Sequence, residues 1–331
     1  MLKLSRRAFL ASLALAPLWG CAQQATSAAD ETIQSSFFCF DTACVVGGVM
    51  SREVLDEAVA RCQAFEGMFS RTIATSDVGR INAAAGEPTQ VQPETAELIS
   101  KALEYCAASD GLFDITIGAV SELWDFHEGI VPTDEAIQAA LLHIGWQGVH
   151  VDVATSTVTL DDPDARLDLG GIAKGYISDV IIDQLAVAGV ESGFVNLGGN
   201  VKVLGPKADG TPWGVGVRDP NDEAGEHSVA IVHTEGGSVV TSGLYERQFE
   251  HEGKRYWHIL DPRTGYPAES DIISASLYTP QSIDGDGYTK PLFMLGLDKA
   301  LKFLEEHGID GLLIDSEGAI HTTVNSAFEA L

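Results

Sequence analysis

Basic residues are scarce in this sequence: 20 Lys and Arg stand against 48 Asp and Glu, a formal net charge of −28. A surface of that sign repels phosphate backbones, which argues against a nucleic-acid partner. Cysteine is sparse as well, five residues with no CxxC pair, so neither a zinc ribbon nor a thioredoxin-type site has support. Nor does the chain carry GxxxxGKS/T, GxGxxG between a strand and a helix, HExxH or GxSxG. Those absences remove the P-loop, dinucleotide, zincin and serine-hydrolase readings. The apolar run near the N-terminus, Ala8 to Pro17, is too short to span a bilayer.

What the N-terminus does carry is an address. Ser5-Arg6-Arg7 is a twin-arginine pattern, followed by that short apolar run and Leu18-Trp19-Gly20-Cys21. A charged start, a brief apolar core and a small residue before the cut predict an export signal over 1–21. The Gly-Cys ending resembles a bacterial lipobox, so Cys21 is expected to carry a lipid and to hold the protein at the outer face of the cell membrane. Residues 22–34, rich in Gln, Ala, Ser and Thr, read as a tether. Residues 35–331 are long enough for a substantial core.

The pattern along that body mixes helices and strands without alternating them. Residues 37–49 read as a strand, and Ser51 caps a helix with Leu55, Ala58, Val59, Cys62 and Phe65 on one face. Pro93 opens a second helix stopped by Gly111, and Thr133 caps a third that runs to Gly145. Cys62 and Cys106 fall on apolar helix faces as buried thiols. A hairpin at 149–160 and a helix at 172–188 follow. The stretch 193–280 is mostly strands, with helices near 287–296 and 298–307 and a last strand pair to 322. Helices that cluster early and strands that follow in runs indicate an α+β fold rather than a doubly wound parallel sheet.

Four glycine-rich or polar turns hold the candidate chemistry. Asp168-Leu-Gly-Gly-Ile-Ala-Lys-Gly leaves a strand and enters a helix with Lys174 in its first turn. A cation there opposes the helix dipole, so a local anion such as a phosphate is expected. Asn196-Leu-Gly-Gly-Asn reads as a hairpin turn, Thr241–Arg247 as a strand end exposing hydroxyls and Arg247, and His258–Gly265 as a strand end turned by Asp261-Pro262. Together they place Lys174, Arg247, Arg263, His258, Asp168, Asp261 and Asp286 at element ends, a cast suited to a pyrophosphate, a hard cation and a proton acceptor.

These turns, with Phe69-Ser70, Ser76–Asn82 and Asp110–Thr116, recur in order over about residues 37–322, and in them the chain resembles the bacterial FAD:protein FMN transferases, the ApbE-like flavin transferase lipoproteins. The resemblance implies a two-lobed α+β fold with mixed or antiparallel sheets and a cleft for FAD. It implies magnesium-dependent cleavage of FAD, release of AMP, and attachment of FMN through its phosphate to a threonine or serine of a partner flavoprotein, expected to be a membrane-associated redox protein. By position, Ala173 (through its carbonyl), Asp286 and Thr289 would hold magnesium. Asp168, Lys174, Thr241, Ser242, Gly243, Arg247, Asn196 and Cys44 would meet the flavin nucleotide. His258 would be the general base, with Asp261 orienting it or its loop.

Two positions depart from the family pattern. Cys44 stands where an aromatic packs on the flavin, and Lys290 stands where a threonine ligates the metal, Thr289 being one residue early. Two other readings therefore stand beside transfer to protein: an FAD pyrophosphatase that hands FMN to water, and a non-catalytic flavin- or metal-binding lipoprotein.

Overall fold

In the computed structural model, which describes residues 31–222 and 224–331, the frame is an antiparallel sheet of eight strands. The chain begins with β1 (Ile33–Cys39), β2 (Thr42–Gly48), α1 (Arg52–Phe69), α2 (Asp77–Ala83), β3 (Thr89–Gln90), α3 (Pro93–Ala108), α4 (Gly118–Ser121) and α5 (Asp134–Leu141). It continues through β4 (Val149–Asp152), β5 (Thr157–Leu160), α6 (Ala173–Val187), β6 (Gly193–Leu197), β7 (Asn200–Leu204), β8 (Trp213–Arg218), β9 (Ser228–Thr234) and β10 (Gly236–Gly243). It closes with β11 (Gln248–His251), β12 (Lys254–Trp257), β13 (Ile272–Thr279), α7 (Ser282–Leu295), α8 (Leu297–His307), β14 (Asp310–Asp315), β15 (Ile320–Thr322) and β16 (Phe328–Ala330).

The large sheet runs β1-β2-β6-β7-β10-β13-β14-β15, and every pairing in it is antiparallel. Helices α1 and α3 and the apolar side of α6 form one core with β2 and β6, built on Leu55, Phe65, Leu98, Ile99, Ile177 and Val195. A second core on Val203, Val217, Val232, Val239 and Ile314 joins the sheet to the three-strand sheet β16-β9-β8. The α+β expectation holds, and Thr32–Leu331 form one compact unit. The expected export signal and the expected lipid site Cys21 lie outside the described residues, as does most of the expected tether.

Several boundaries differ from the sequence reading for local reasons. The single strand expected over 37–49 is a hairpin, because Phe40 and Asp41 adopt φ of 53° and 58° and turn the chain back on itself. Thr133 does cap its helix, accepting from the Ala136 N–H, but that helix ends at Leu141. The helix expected from 287 begins five residues earlier, at Ser282, because Asp179 accepts the backbone N–H groups of Ser282 and Ile283 at 2.7 and 3.0 Å. A carboxylate delivered from another helix caps α7, and no local sequence signal announces it.

Candidate active site at the junction of two helices

The site grows from the place where α6 meets α7. Three glycines allow the approach: a Cβ on Gly175 would lie 2.6 Å from the Ser282 carbonyl oxygen, one on Gly285 2.5 Å from Val240, and one on Gly287 2.5 Å from Tyr105. Real side-chain atoms do not come that close, so only glycine lets α7 lie flush on β10 and against α6. The contact leaves Asp286 only 1% exposed, with Oδ2 accepting the Gly175 N–H at 2.7 Å.

Thus the anion expected at the start of α6 is supplied by the chain itself. Lys290, one turn further along α7, donates from Nζ to Asp286 Oδ1 at 2.8 Å, with 18% of its side chain exposed. Burial works to raise the Asp286 pKa, but Lys290 and Lys174 outweigh it and hold the carboxyl below its ordinary value.

The turn leading into α6 is braced from three sides. Asn82 pairs with the backbone of Leu167 through both its amide atoms, and the Asp168 N–H donates to the Ile115 carbonyl at 2.8 Å. Asp168 Oδ2 then accepts from Arg71 Nε at 3.0 Å and Ser121 Oγ at 2.8 Å, while Oδ1 accepts the Gly170 N–H. No hydrogen bond joins Lys174 to this carboxylate. Arg71 takes that place, a residue missed in the sequence although it immediately follows Phe69-Ser70, in a chain where every arginine is conspicuous. The turn still borders the site, since a Cβ on Gly171 would lie 3.9 Å from Lys290 Cε.

His258 follows β12, its N–H donating to the Arg247 carbonyl at 3.1 Å. Its Nδ1 is enclosed without a hydrogen-bond partner among the described residues. Burial, reinforced by the positive charges of Arg247, Lys290 and Lys174, lowers its pKa to about 3. The imidazole is therefore neutral at neutral pH, and it lies in the field of three cations in a strongly acidic protein. Arg247 also reaches the β1–β2 turn, donating to the Asp41 carbonyl at 3.3 Å and facing Asp41 Oδ2 at 3.4 Å.

Other expected site residues are placed elsewhere. Asp261 does not touch His258: its carboxylate grips Arg263, accepting from the backbone N–H at 2.8 Å and from the guanidinium Nε and Nη2 at 2.9 and 2.6 Å. It organises the 261–265 turn. Thr241 and Ser242 are neighbours on a strand, so their side chains leave opposite faces of the sheet. Thr241 shares a hydrogen bond with Ser276, and Ser242 with Thr289. Asn196 accepts the Gly199 N–H and closes the β6–β7 turn. Cys44 is fully buried beside the Cys39 carbonyl, so its thiol faces the core rather than a cleft wall. All four cysteines of the described body are free.

The magnesium ligand set does not fit an open divalent site. Both Asp286 oxygens are engaged, Thr289 is buried with its hydroxyl turned to Ser242, and an ammonium sits on the carboxylate. Magnesium asks for oxygen ligands in a near-octahedral shell. Two unit charges 4 Å apart interact by about 4 kcal/mol at an effective dielectric of about 20, so a dication beside Lys290 meets roughly twice that repulsion. Among the described residues one metal-sized cluster exists, His143, Asp162 and Asp164, and it shares no member with this set.

With this geometry, residues 32–313 match the model of the ApbE family. The chain is 37% identical over 277 residues to the FAD:protein FMN transferase of Treponema pallidum (strain Nichols), covering 78% of this chain and 76% of that one. It is 38% identical over 268 residues to an FAD:protein FMN transferase of Klebsiella pneumoniae (strain 342), covering 78% and 83%. Its fold superposes on the ApbE protein of Thermotoga maritima with a TM-score of 0.82 at 32% identity, covering 89% and 97% of the two chains. The flavin transferase ApbE of Vibrio cholerae gives 0.79 at 25% identity over the same shares.

Proposed function

The chain belongs to the ApbE family, and from that premise we propose that it is an FAD:protein FMN transferase, moving FMN from FAD to a hydroxyl of an acceptor protein and releasing AMP. The observation that carries the reading is the gathering of Lys290 and Lys174 at the α6–α7 junction. In a chain of net charge −28, such a focus attracts one kind of substrate, a polyanion such as the pyrophosphate of FAD.

The reaction is a displacement at phosphorus. The acceptor hydroxyl oxygen forms a bond to the FMN phosphorus, the bridging P–O bond of the pyrophosphate breaks, and AMP leaves with that bond's electron pair. His258 takes the hydroxyl proton. A bound pyrophosphate offsets the surrounding cations, which raises the basicity of His258 when substrate is present. Lys174 and Lys290 neutralise charge at the phosphates, and preorganised charge of this kind is commonly the largest catalytic contribution. The Asp168 turn, locked by Arg71 and Ser121, and the Asp261–Arg263 turn hold the walls in place. The magnesium expectation does not enter these steps, because the Asp286 carboxylate is already paired.

Export and lipid anchoring through Ser5-Arg6-Arg7 and Cys21 would put the enzyme beside an acceptor at the membrane surface. None of the helices among the described residues is long and apolar enough to cross a membrane. Incubating the enzyme with FAD and an acceptor domain bearing an exposed threonine, then reading flavin fluorescence on a denaturing gel, tests the proposal. Fluorescent acceptor supports transfer; free FMN without it supports hydrolysis; neither leaves a binding protein.

A further inference from the structure

The Lys290–Asp286 pair sits where the resemblance places a divalent cation, and the donor set there does not suit one. We propose that the Lys290 ammonium is the resident cation of this site and that the chain binds the FAD pyrophosphate without a divalent metal. The inference rests on the pyrophosphate-binding reading above and deepens it.

Three features of the structure carry it. The ammonium is fixed: Asp286 Oδ1 holds it at 2.8 Å, and Oδ2 is itself fixed by the Gly175 N–H at 2.7 Å. Lys290 thereby occupies a defined position at the α6–α7 junction instead of sampling solvent. The ammonium also has capacity to spare. It carries three N–H donors, the Asp286 bond is its one hydrogen bond among the described residues, and part of the side chain is open to solvent.

The third feature is its company. Lys174 lies in the first turn of α6 and directly precedes Gly175, whose N–H holds the same carboxylate, so a second lysine stands at this junction. One divalent ion and two lysines supply the same formal charge, and the lysines supply it with directed N–H donors. Thr289, the oxygen ligand nearest in sequence, is withdrawn into a buried pair with Ser242.

Two binding measurements on the purified full-length protein test this without using turnover. In the first, MnCl2 is titrated and bound ion is read by electron paramagnetic resonance. The wild-type protein is expected to leave Mn2+ free, and Lys290→Thr to bind it. One tightly bound Mn2+ in the wild type that Asp286→Asn abolishes would overturn the proposal, even if Lys290→Thr fails to fold.

In the second, FAD binding is followed by quenching of flavin fluorescence in EDTA and then in excess Mg2+. The wild-type dissociation constant is expected to change by less than about twofold, whereas Lys290→Thr weakens about tenfold or more in EDTA and recovers with Mg2+. A wild type that binds FAD only with Mg2+ contradicts the proposal. Metal-independent FAD binding without transfer to any acceptor would leave this proposal standing and count against the transferase reading instead.

Discussion

Gly175 donates its backbone N–H to Asp286 Oδ2 across 2.7 Å, and this one bond ties the start of α6 to the middle of α7. It replaces the free helix N-terminus that a phosphate would otherwise find with a carboxylate already in place. The cations nearby, Lys174 and Lys290, then become the groups left to face a polyanion.

A side chain at Gly175 should break that junction. The Cβ of Gly175→Ala would meet the Ser282 oxygen at 2.6 Å and Ile283 Cα at 2.7 Å, both backbone atoms that cannot step aside. The expected loss is about 1–3 kcal/mol of stability from overpacking, together with weaker FAD binding. Chemical denaturation checks the first and fluorescence quenching the second; an unchanged midpoint would show that the helices are not in contact there.

The Asp179–Lys202 pair should matter more than any surface ion pair. Both side chains are buried, and Asp179 also caps α7 through the N–H groups of Ser282 and Ile283. Lys202→Met strands a buried carboxylate, and breaking one side of such a pair costs about 3–5 kcal/mol. Equilibrium unfolding in urea measures it, and a loss below about 1 kcal/mol would place water at the pair.

His258 should impose a characteristic pH dependence on stability. Its pKa falls from 6.5 to about 3 on folding, by burial first and then by Arg247, Lys290 and Lys174. Below 6.5 the unfolded chain gains a proton that the folded one does not, so this residue makes no difference at higher pH and subtracts stability as pH falls from 6.5 towards 3. His258→Gln removes that contribution. Its unfolding free energy should fall less than that of the wild type between about pH 6.5 and about pH 4.5; identical slopes would contradict the depressed pKa.

Asp261 should act through its loop. Asp261→Asn weakens the grip on Arg263 and is expected to lower turnover and loosen the 261–265 turn while leaving the pH profile attributable to His258 in place. A profile that shifts with this substitution would make Asp261 the partner of the base after all.

Much of this was legible in the sequence, and the remainder was hidden for identifiable reasons. Helix starts at Ser51 and Thr133 could be read because their caps are local, and the one at Pro93 because proline suits the first helical position. The start of α7 could not, because its cap is Asp179, 103 residues away from Ser282. His258, Lys174 and Asp286 were recognisable as a site, and the structure couples them electrostatically. Asp168 was recognised too, but its partner Arg71 lies 97 residues before it. Thr241 and Ser242 looked equivalent until strand pairing sent one to Ser276 and the other to Thr289.

The central claim is transfer of FMN to protein, and the intact mass of the acceptor tests it most directly. After incubation of enzyme, FAD and a threonine-bearing acceptor domain, mass spectrometry should show the acceptor heavier by one FMN less one water, with one AMP released per acceptor modified and neither product formed by His258→Ala. An acceptor of unchanged mass, while FAD is converted to free FMN and AMP, would contradict the account.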